Sequence, residues 1–96
     1  RTAIGVVLAA HGYPMSPRKG DAITGLPQDT DDVVVFHAGT HMQDGQVVTS
    51  GGRVLCVTAL GGTLKLAQQQ AYDTIQGIHF DGMQYRTDIG YRAISR

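Results

Sequence analysis

Residues 53–60, RVLCVTAL, are the most apolar extended stretch of the 96-residue chain, and the rest of the fold must form around them. Their β-branched and aliphatic side chains predict a buried strand. Apolar side chains occupy both faces, with Leu55, Val57 and Ala59 on one and Val54, Cys56 and Leu60 on the other. An antiparallel sheet with one face in water shows polar residues on that face. We therefore expect a helix to cover one face, and sheet curling or a neighbouring domain to cover the other.

Three other stretches predict shorter strands, at residues 4–10, 33–38 and 46–49. Residues 39–45, which contain glycine, connect the strand at 33–38 to the strand at 46–49. The glycine turn at 50–52 then connects 46–49 to 53–60. Short connections favour antiparallel neighbours, so we expect these three strands to form a meander. The prolines and glycines of residues 11–27 predict a loop, with an extended piece at 21–26.

One amphipathic helix is predicted over about residues 63–77. Thr63 is a suitable N-cap, and Gly77 is suited to the left-handed position after a helix, with Ile78 folding back. Apolar residues recur at helical spacing and form one stripe: Leu64, Ala67, Ala71 and Ile75. We expect the opposite side to face water: Gln68, Gln69, Gln70 and Asp73. A final short strand or turn is expected at Tyr91–Ile94.

These elements predict a single domain over residues 1–96 of the α+β class, mainly β. The expected architecture is an antiparallel sheet or half-barrel with one packed helix. Hydrophobic residues make up 42% of the chain, and the mean hydropathy is −0.10, as in folded rather than disordered proteins. Because the chain starts with Arg1 and soon enters an apolar run, we expect it to be a piece of a longer protein.

Composition argues against several classes of function. Lys plus Arg and Asp plus Glu each number 8, whereas proteins that bind nucleic acid or anionic membranes need a basic excess. All the acidic residues are Asp, which excludes a mechanism that needs a Glu from this chain. The single cysteine, Cys56, excludes an internal disulfide and a multi-cysteine zinc site. No apolar run approaches the ~20 residues of a membrane span. We expect the protein to be located in a reducing cytoplasm.

The turn at residues 50–53, SGGR, is the strongest candidate for binding an anion. Gly51 and Gly52 would allow backbone N–H groups to converge on an anion. Arg53 offers a planar fork that suits phosphate or carboxylate. The alternative is a plain hairpin turn with a surface arginine. Lys19, in the loop sequence RKGD, could also hold a phosphate, or could belong to a solvated loop.

Other polar residues favour structural roles. His37 and His41 are four apart, but on a strand followed by glycine, so we expect local hydrogen bonding of His37 rather than a shared metal ion. Cys56 lies among apolar neighbours and is expected to pack in the core. Arg86 and Asp88 are expected to pair across a turn. No P-loop, dinucleotide fingerprint or Ser-His-Asp pattern is present.

Six segments together resemble one known family. In chain order they are VVLAAHGYP, RKGD, VFHAGTH, DGQVVTSGGRVLCVTALG, AQQQAY and YRTDIGYRAI. Over residues 4–94 the chain is similar to the C-terminal domain of glycinamide ribonucleotide synthetase, also called phosphoribosylamine–glycine ligase, of the ATP-grasp superfamily. The segment GGRVLCVTALG is the most specific of the set.

The resemblance implies an activity of the full-length ligase rather than of this fragment. That ligase joins glycine to 5-phosphoribosylamine with ATP in purine biosynthesis, through glycyl phosphate, and yields glycinamide ribonucleotide, ADP and phosphate. ATP and Mg²⁺ or Mn²⁺ are expected in the central ATP-grasp domains, so the fragment alone should bind no cofactor or metal and be inactive. Its implied fold is a rudiment single hybrid motif that packs against the ATP-grasp and N-terminal domains and walls the phosphoribosylamine site.

The resemblance also implies roles for particular residues. Arg53 is expected to hold the phosphate of phosphoribosylamine, with Gly51 and Gly52 allowing close approach of the backbone. Lys19 is the second cation expected at that substrate. No residue of the fragment is expected to be catalytic.

The chain departs from the family pattern at three positions. His11 stands where the family usually has Gly, His41 where it usually has Lys, and Thr87 where many members have Lys. If the family's Lys contacts substrate, His41 weakens that contact or makes it depend on pH. If that Lys is only a surface charge, the replacement has no consequence.

A second function of a different class is a structural wall or oligomer contact in a related ATP-grasp carboxylase or ligase. The strand with two apolar faces motivates it, because an exposed apolar face promotes association, including self-association of the fragment. Phosphate-dependent NMR shifts at residues 51–53 would favour the ligase, and self-association without them the structural role.

Overall fold

A three-stranded antiparallel sheet is the centre of the computed structural model, which describes residues 2–87. The elements are β1 (Thr2–Ala9), β2 (Val33–His37), β3 (Thr40–Gln43), β4 (Gln46–Thr49), β5 (Arg53–Gly61) and α1 (Leu64–Gly77). The strand order is β1-β5-β2, so the apolar stretch that was predicted to dominate the fold is the central strand. The expected α+β class, mainly β with one packed helix, is confirmed, and the sheet does not close into a barrel. The final strand or turn predicted at 91–94 lies outside the described residues.

The remaining two strands form a separate hairpin, β3–β4. Asp44 and Gly45 connect them with φ angles of 53° and 82°, and two positive φ values are the mark of a type I′ turn. The predicted meander is therefore wrong in its pairing. Residues 40–43, which the sequence predicts to be a connection, form β3 and pair with β4. Strand β2 pairs directly with β5. The loop at residues 11–27 does contain the expected extended piece, with isolated bridges at Ala22 and Thr24.

The helix lies where the sequence predicts it. Thr63 caps α1, because its Oγ1 accepts a hydrogen bond from the Leu66 N–H at 3.2 Å. The expected stripe is confirmed: Ala67, Ala71 and Ile75 are buried and Leu64 is half-buried. Gln70 does not face water as expected. Its Nε2 donates to the Leu60 carbonyl at 2.7 Å and ties the helix to β5.

The hydrophobic core lies between α1 and one face of the three-stranded sheet. Its best-buried members come from every layer: Val6, Leu8, Leu55, Val57, Ile75, Ile78 and Phe80. Ile78 and Phe80 follow the helix and turn back onto the same core. Truncation of such a side chain to alanine typically costs about 2–5 kcal/mol. The core therefore lies on one face of the sheet, and the opposite face does not contribute to it.

The left-handed conformation predicted for Gly77 is wrong. Gly77 is the last residue of α1, and it is absent from the positive-φ glycines of residues 2–87. The helix ends because Ile78 is extended, with φ −93° and ψ 137°, while its N–H still donates to the Ile75 carbonyl at 3.0 Å. Ile78 does fold back and is buried, as expected.

The conformation at the helix end can be tested by substituting Gly77 and Gly25. A Cβ at Gly77 meets no atom within 4 Å, so Gly77→Ala should leave the free energy of unfolding unchanged or raise it by up to about 1 kcal/mol. Gly25 has φ +75°, and its Cβ would collide with the Gly77 carbonyl, so Gly25→Ala should lower that free energy by at least about 1 kcal/mol. Urea unfolding of both variants measures the contrast. Strong destabilisation by Gly77→Ala would contradict the helix end described here.

Candidate functional site

A β-bulge at the start of β5 determines which way Arg53 points. Leu8 pairs with Leu55, but Ala9 pairs with Arg53, so Val54 is the extra residue on its strand. With strict alternation, Arg53 would follow Leu55 toward the core. The bulge instead leaves both Val54 and Leu55 fully buried, and Arg53 is exposed. Re-aiming a side chain in this way is a common effect of β-bulges.

The sheet face opposite the helix, called the open face here, is apolar and only partly covered. On it Val7 is 44% exposed and Phe36 is 55% exposed. Cys56 was expected in the core, and that prediction is wrong. It lies half-buried on the open face, with its Sγ 3.7 Å from the Thr58 Oγ1. Residues 2–87 therefore leave this face without the second cover that the apolar pattern of β5 requires.

Two pockets of about 450 Å³ each lie beside the open face, and Val7 and Arg53 line both. The first, called the arginine pocket, is completed by Ala9, Tyr13, Gln84, Tyr85 and Arg86. The second, called the glycine pocket, is completed by Ala38, Gly39, Gly51, Gly52, Leu55 and Cys56. Within the described part of the chain, the Arg53 guanidinium has no hydrogen bond or ion pair. Its donors are therefore available to a ligand at the junction of the two pockets.

The turn at residues 50–52 is held by the loop that follows β2. The Ser50 N–H donates to the Gly39 carbonyl at 2.8 Å. A Cβ at Gly39 would lie 3.0 Å from the Gly51 Cα, so Gly39 allows the two backbones to approach closely. A Cβ at Gly51 would make only an ordinary contact with Gly39, at 3.5 Å. Convergence of the Gly51 and Gly52 N–H groups on an anion stays a prediction.

Lys19 lies beside this turn but in neither pocket. The Gly20 N–H donates to the Thr49 carbonyl at 2.7 Å, and the Thr49 N–H donates to the Asp21 carbonyl at 2.9 Å. The loop that carries Lys19 therefore runs along the end of β4, directly before the turn. Lys19 is exposed and lines neither the arginine pocket nor the glycine pocket. The structure places it near the turn without bringing it into a pocket with Arg53.

Arg18, the neighbour of Lys19, joins two loops that wall the arginine pocket. Its Nε donates to the Asp21 Oδ2 at 2.8 Å, and its Nη2 donates to the Asp81 Oδ2 at 2.9 Å. The hydrogen bond to Asp21, and then the charges of both carboxylates, raise the pKa of Arg18. The pair to Asp81 connects the loop that carries Tyr13 with the segment that carries Tyr85. Arg18 therefore has a structural role that its place in the sequence does not reveal.

The segment after the helix brings Arg86 to the arginine pocket. The Gln84 N–H donates to the Ala9 carbonyl at 2.9 Å, and the Ala9 N–H donates to the Gln84 carbonyl at 2.7 Å. The Tyr72 hydroxyl donates to the Arg86 carbonyl at 2.6 Å. The sequence predicts for Arg86 only a pairing with Asp88, which lies outside the described residues. The pairing with β1 that places Arg86 beside Arg53 has no local sequence signal.

Within residues 2–87, the histidines belong to no group of three or more side chains that could hold a metal ion. The His37 Nδ1 lies 2.9 Å from the Thr40 Oγ1, which confirms the expected local hydrogen bond. His41 is exposed on β3, and the ring of His11 packs against Gly82. Across residues 2–87, no three His, Cys or Asp side chains are grouped so that they could hold a metal ion. The described residues do not fit the Mg²⁺ or Mn²⁺ that the resemblance implies for the full-length ligase.

Comparison with known proteins identifies the family. The family described as "Phosphoribosylglycinamide synthetase, C domain" matches residues 3–92. The chain belongs to this family. The resemblance drawn from the sequence motifs is therefore confirmed. Within the described C domain, no helix has the length and hydropathy to cross a membrane.

Three similar proteins are phosphoribosylamine–glycine ligases. A phosphoribosylamine–glycine ligase of Ralstonia nicotianae is 62% identical over 96 residues, which cover 100% of this chain and 23% of the relative. One from Vibrio parahaemolyticus is 59% identical over 97 residues, with the same coverage. The crystal structure of phosphoribosylamine–glycine ligase from Thermotoga maritima has a TM-score of 0.82 and 46% identity, over 91% of this chain and 21% of that one. The C domain thus spans about a quarter of its curated relatives.

The Tyr13 wall of the arginine pocket can be tested at Gly52. A Cβ at Gly52 would collide with the Tyr13 ring, and Tyr13 is 37% exposed. We expect Gly52→Ala to swing the ring outward at a cost below about 1 kcal/mol, since exposed side chains relax easily. NMR signals of the Tyr13 ring should shift clearly.

Gly62→Ala is the matched control, because a Cβ there meets no atom within 4 Å. It should leave the Tyr13 signals in place. Unchanged Tyr13 signals in Gly52→Ala would show that the ring does not pack on this turn.

Proposed function

We propose that this C domain is part of a phosphoribosylamine–glycine ligase, which joins glycine to 5-phosphoribosylamine with ATP and yields glycinamide ribonucleotide, ADP and phosphate. The observation that carries the proposal is Arg53. Its guanidinium has no ionic partner within residues 2–87 and stands between two pockets on the open face. Relatives that match the whole chain carry the name of this ligase, which supports the proposal.

The role proposed for Arg53 is to hold the phosphate of phosphoribosylamine. A guanidinium can give two parallel hydrogen bonds to phosphate oxygens, which fixes orientation as well as position. Val7 and Ala9 provide apolar surface next to it, and charge-assisted hydrogen bonds strengthen where water is partly excluded. Binding of this kind positions the amine for attack and requires no proton transfer by the C domain. Gly51, Gly52 and Lys19 are proposed to assist from the adjacent turn and loop.

ATP and Mg²⁺ or Mn²⁺ are proposed to bind in the ATP-grasp part of the ligase. When bound there, they supply the phosphoryl group that activates the glycine carboxylate. The C domain supplies no catalytic residue in this scheme. The proposed location of the whole enzyme is the cytoplasm.

The open face is proposed to pack against the ATP-grasp and N-terminal domains of the same chain. Its Val7 and Phe36 side chains expose apolar surface that a folded protein usually buries against a partner. Domain packing there would place Arg53 in a closed cleft rather than at an open surface. Self-association of the isolated fragment through the same face stays a prediction.

A direct test compares the fragment with the full-length ligase. With ATP, glycine and phosphoribosylamine, we expect ADP release from the full-length protein and none from the 96-residue fragment. Robust turnover by the fragment alone would contradict the proposal, because the chemistry would then reside in the C domain.

A second test replaces Arg53 in the full-length ligase. Arg53→Ala removes a charge-assisted pair and should raise the KM for phosphoribosylamine by roughly tenfold or more. The KM values for glycine and ATP should change little. Lys65→Ala is the control, because Lys65 is exposed on the helix that covers the opposite sheet face. An unchanged KM for phosphoribosylamine in Arg53→Ala would remove Arg53 from the substrate site.

A further inference from the structure

The arginine pocket and the glycine pocket meet at a contact between Tyr13 and Gly52. Tyr13 lines only the arginine pocket, and Gly52 lines only the glycine pocket. A Cβ at Gly52 would collide with the Tyr13 ring, at 2.8 Å from its Cε1, so the ring packs directly on this backbone. The ring therefore stands on the boundary between two pockets that share Val7 and Arg53. We propose that Tyr13 divides the site and thereby excludes ligands larger than a single sugar phosphate.

This inference rests on the proposed function and adds a limit on ligand size to it. Phosphoribosylamine carries only an amine at C1 of its ribose. A nucleoside 5′-monophosphate has the same phosphate and the same kind of sugar, with a base at C1. A guanidinium that holds the phosphate does not distinguish these two ligands. Discrimination then has to come from a wall that clashes with the larger one.

The pocket volumes agree with such a limit. Each pocket measures about 450 Å³, whereas sites for small molecules range over ~300–1,000 Å³. One pocket is in the lower half of this range and suits a sugar phosphate, and the two joined would approach its upper end. Because Arg53 lines both pockets, a phosphate bound to it has space for the rest of the ligand on either side. Tyr13 restricts that ligand to the arginine pocket.

The loop that carries Tyr13 is held in place by the protein itself. The Arg18 N–H donates to the His11 carbonyl at 2.8 Å and closes the loop around Tyr13. The Arg18 Nη2 donates to the Asp81 Oδ2 at 2.9 Å and ties the loop to the segment after α1. A wall that is already ordered rejects a larger ligand without first having to be ordered by the correct one.

The ring of Tyr13, and not its hydroxyl, forms the divider. The Tyr13 atoms nearest to a Cβ at Gly52 are the ring carbons Cδ1 and Cε1. Within residues 2–87 the Tyr13 hydroxyl has no hydrogen bond. Phenylalanine at this position should therefore keep the two pockets separate, and alanine should join them.

The far side of the divider has small residues that leave space for a base. Beside Gly52, the glycine pocket is lined by Ala38, Gly39 and Gly51. Cys56 also lines this pocket and is half-buried. Leucine at Cys56 would fill the pocket from a position that does not line the arginine pocket.

The experiment measures inhibition of the full-length ligase by ribose 5-phosphate and by uridine 5′-monophosphate, in competition with phosphoribosylamine. In the unchanged protein, we expect uridine 5′-monophosphate to bind at least about tenfold more weakly than ribose 5-phosphate. Tyr13→Ala should reduce this ratio of inhibition constants by about tenfold, because the base gains the glycine pocket. Tyr13→Phe should keep the ratio, and Lys65→Ala is the control for a distant substitution.

A double variant locates the base. Tyr13→Ala combined with Cys56→Leu should restore most of the ratio, because leucine occupies the space that the base would enter. Tyr13 is 37% exposed, so we expect Tyr13→Ala to fold, and its Tm is measured. If it does not fold, Gly52→Ala replaces it, because that substitution displaces the ring without removing it.

Three results would overturn the inference. An unchanged ratio in the folded variant that removes or displaces the ring would show that the ring does not limit ligand size. An equal reduction in Tyr13→Phe would assign the discrimination to the hydroxyl. A ratio that stays low in the double variant would place the base outside the glycine pocket.

Failure of the proposed function gives a different result. If the full-length protein has no ligase activity, calorimetry with the same two compounds measures the same ratio of affinities. A ratio that falls in Tyr13→Ala then supports the divider without the ligase reaction. An active ligase with an unchanged ratio overturns the divider and leaves the proposed function intact. If neither compound binds to the unchanged protein, the arginine pocket is not a sugar-phosphate site, and the inference fails.

Discussion

The extra residue at Val54 is the constraint on which the candidate site depends. On one side the pairing of β1 with β5 skips Val54, and on the other side the Val54 carbonyl accepts from the N–H groups of both Ala38 and Gly39. The regular pairing of β5 is therefore interrupted at Val54 on both sides, although Arg53 still pairs with Ala9 of β1. Val54 takes the buried place that alternation would give to Arg53, and the guanidinium is released to the open face. Without the bulge, a charged group would be directed at an apolar core, where it is very costly without a partner.

The one-sided core explains why the site lies where it does. Helix α1 covers the face of the sheet that carries Leu55 and Val57, and the chain then turns back to pair Gln84 with Ala9. That return brings Tyr85 and Arg86 to the edge of the sheet beside Arg53. The loop after β1 carries Tyr13 to the same place. Arg18 in this loop connects it to the segment after α1 through its ion pair with Asp81. The arginine pocket thus results from three separate segments that meet at the start of β5.

Local rules predicted the parts of the fold that depend on local chemistry. The Thr63 cap, the buried stripe of α1 and the apolar strand at residues 53–60 follow from spacing and residue type, and the structure confirms them. The hairpin β3–β4 was also within reach, because Asp44-Gly45 is a strong signal for a type I′ turn. The meander failed because short connections bias strands toward sequential pairing without requiring it. Strand β2 does not pair with β3, the next strand in the sequence, and pairs with β5 instead.

Non-local geometry set the limit on predicting the site. Arg53 could be selected from the sequence because a planar cation beside two glycines suits an anion. The Arg53 side chain points away from the core because of the bulge at Val54. The bulge could not be predicted, because one extra residue in an apolar strand does not change the pattern of residue types. Arg86 was assigned to a local pair because residues near in sequence are the only partners that spacing can suggest.

The open face and Arg53 point to the same physical requirement. A guanidinium at an exposed surface interacts weakly with an anion, because water screens the charge and competes for the donors. Val7 lines both pockets beside this cation, and the exposed Phe36 adds apolar surface to the same sheet face, which favours burial against another protein layer. Covering the face would lower the local dielectric constant and strengthen the interaction of Arg53 with phosphate. If Arg53 holds a phosphate as proposed, stability and binding favour the same event, in which the apolar face is covered and the anion is enclosed with Arg53.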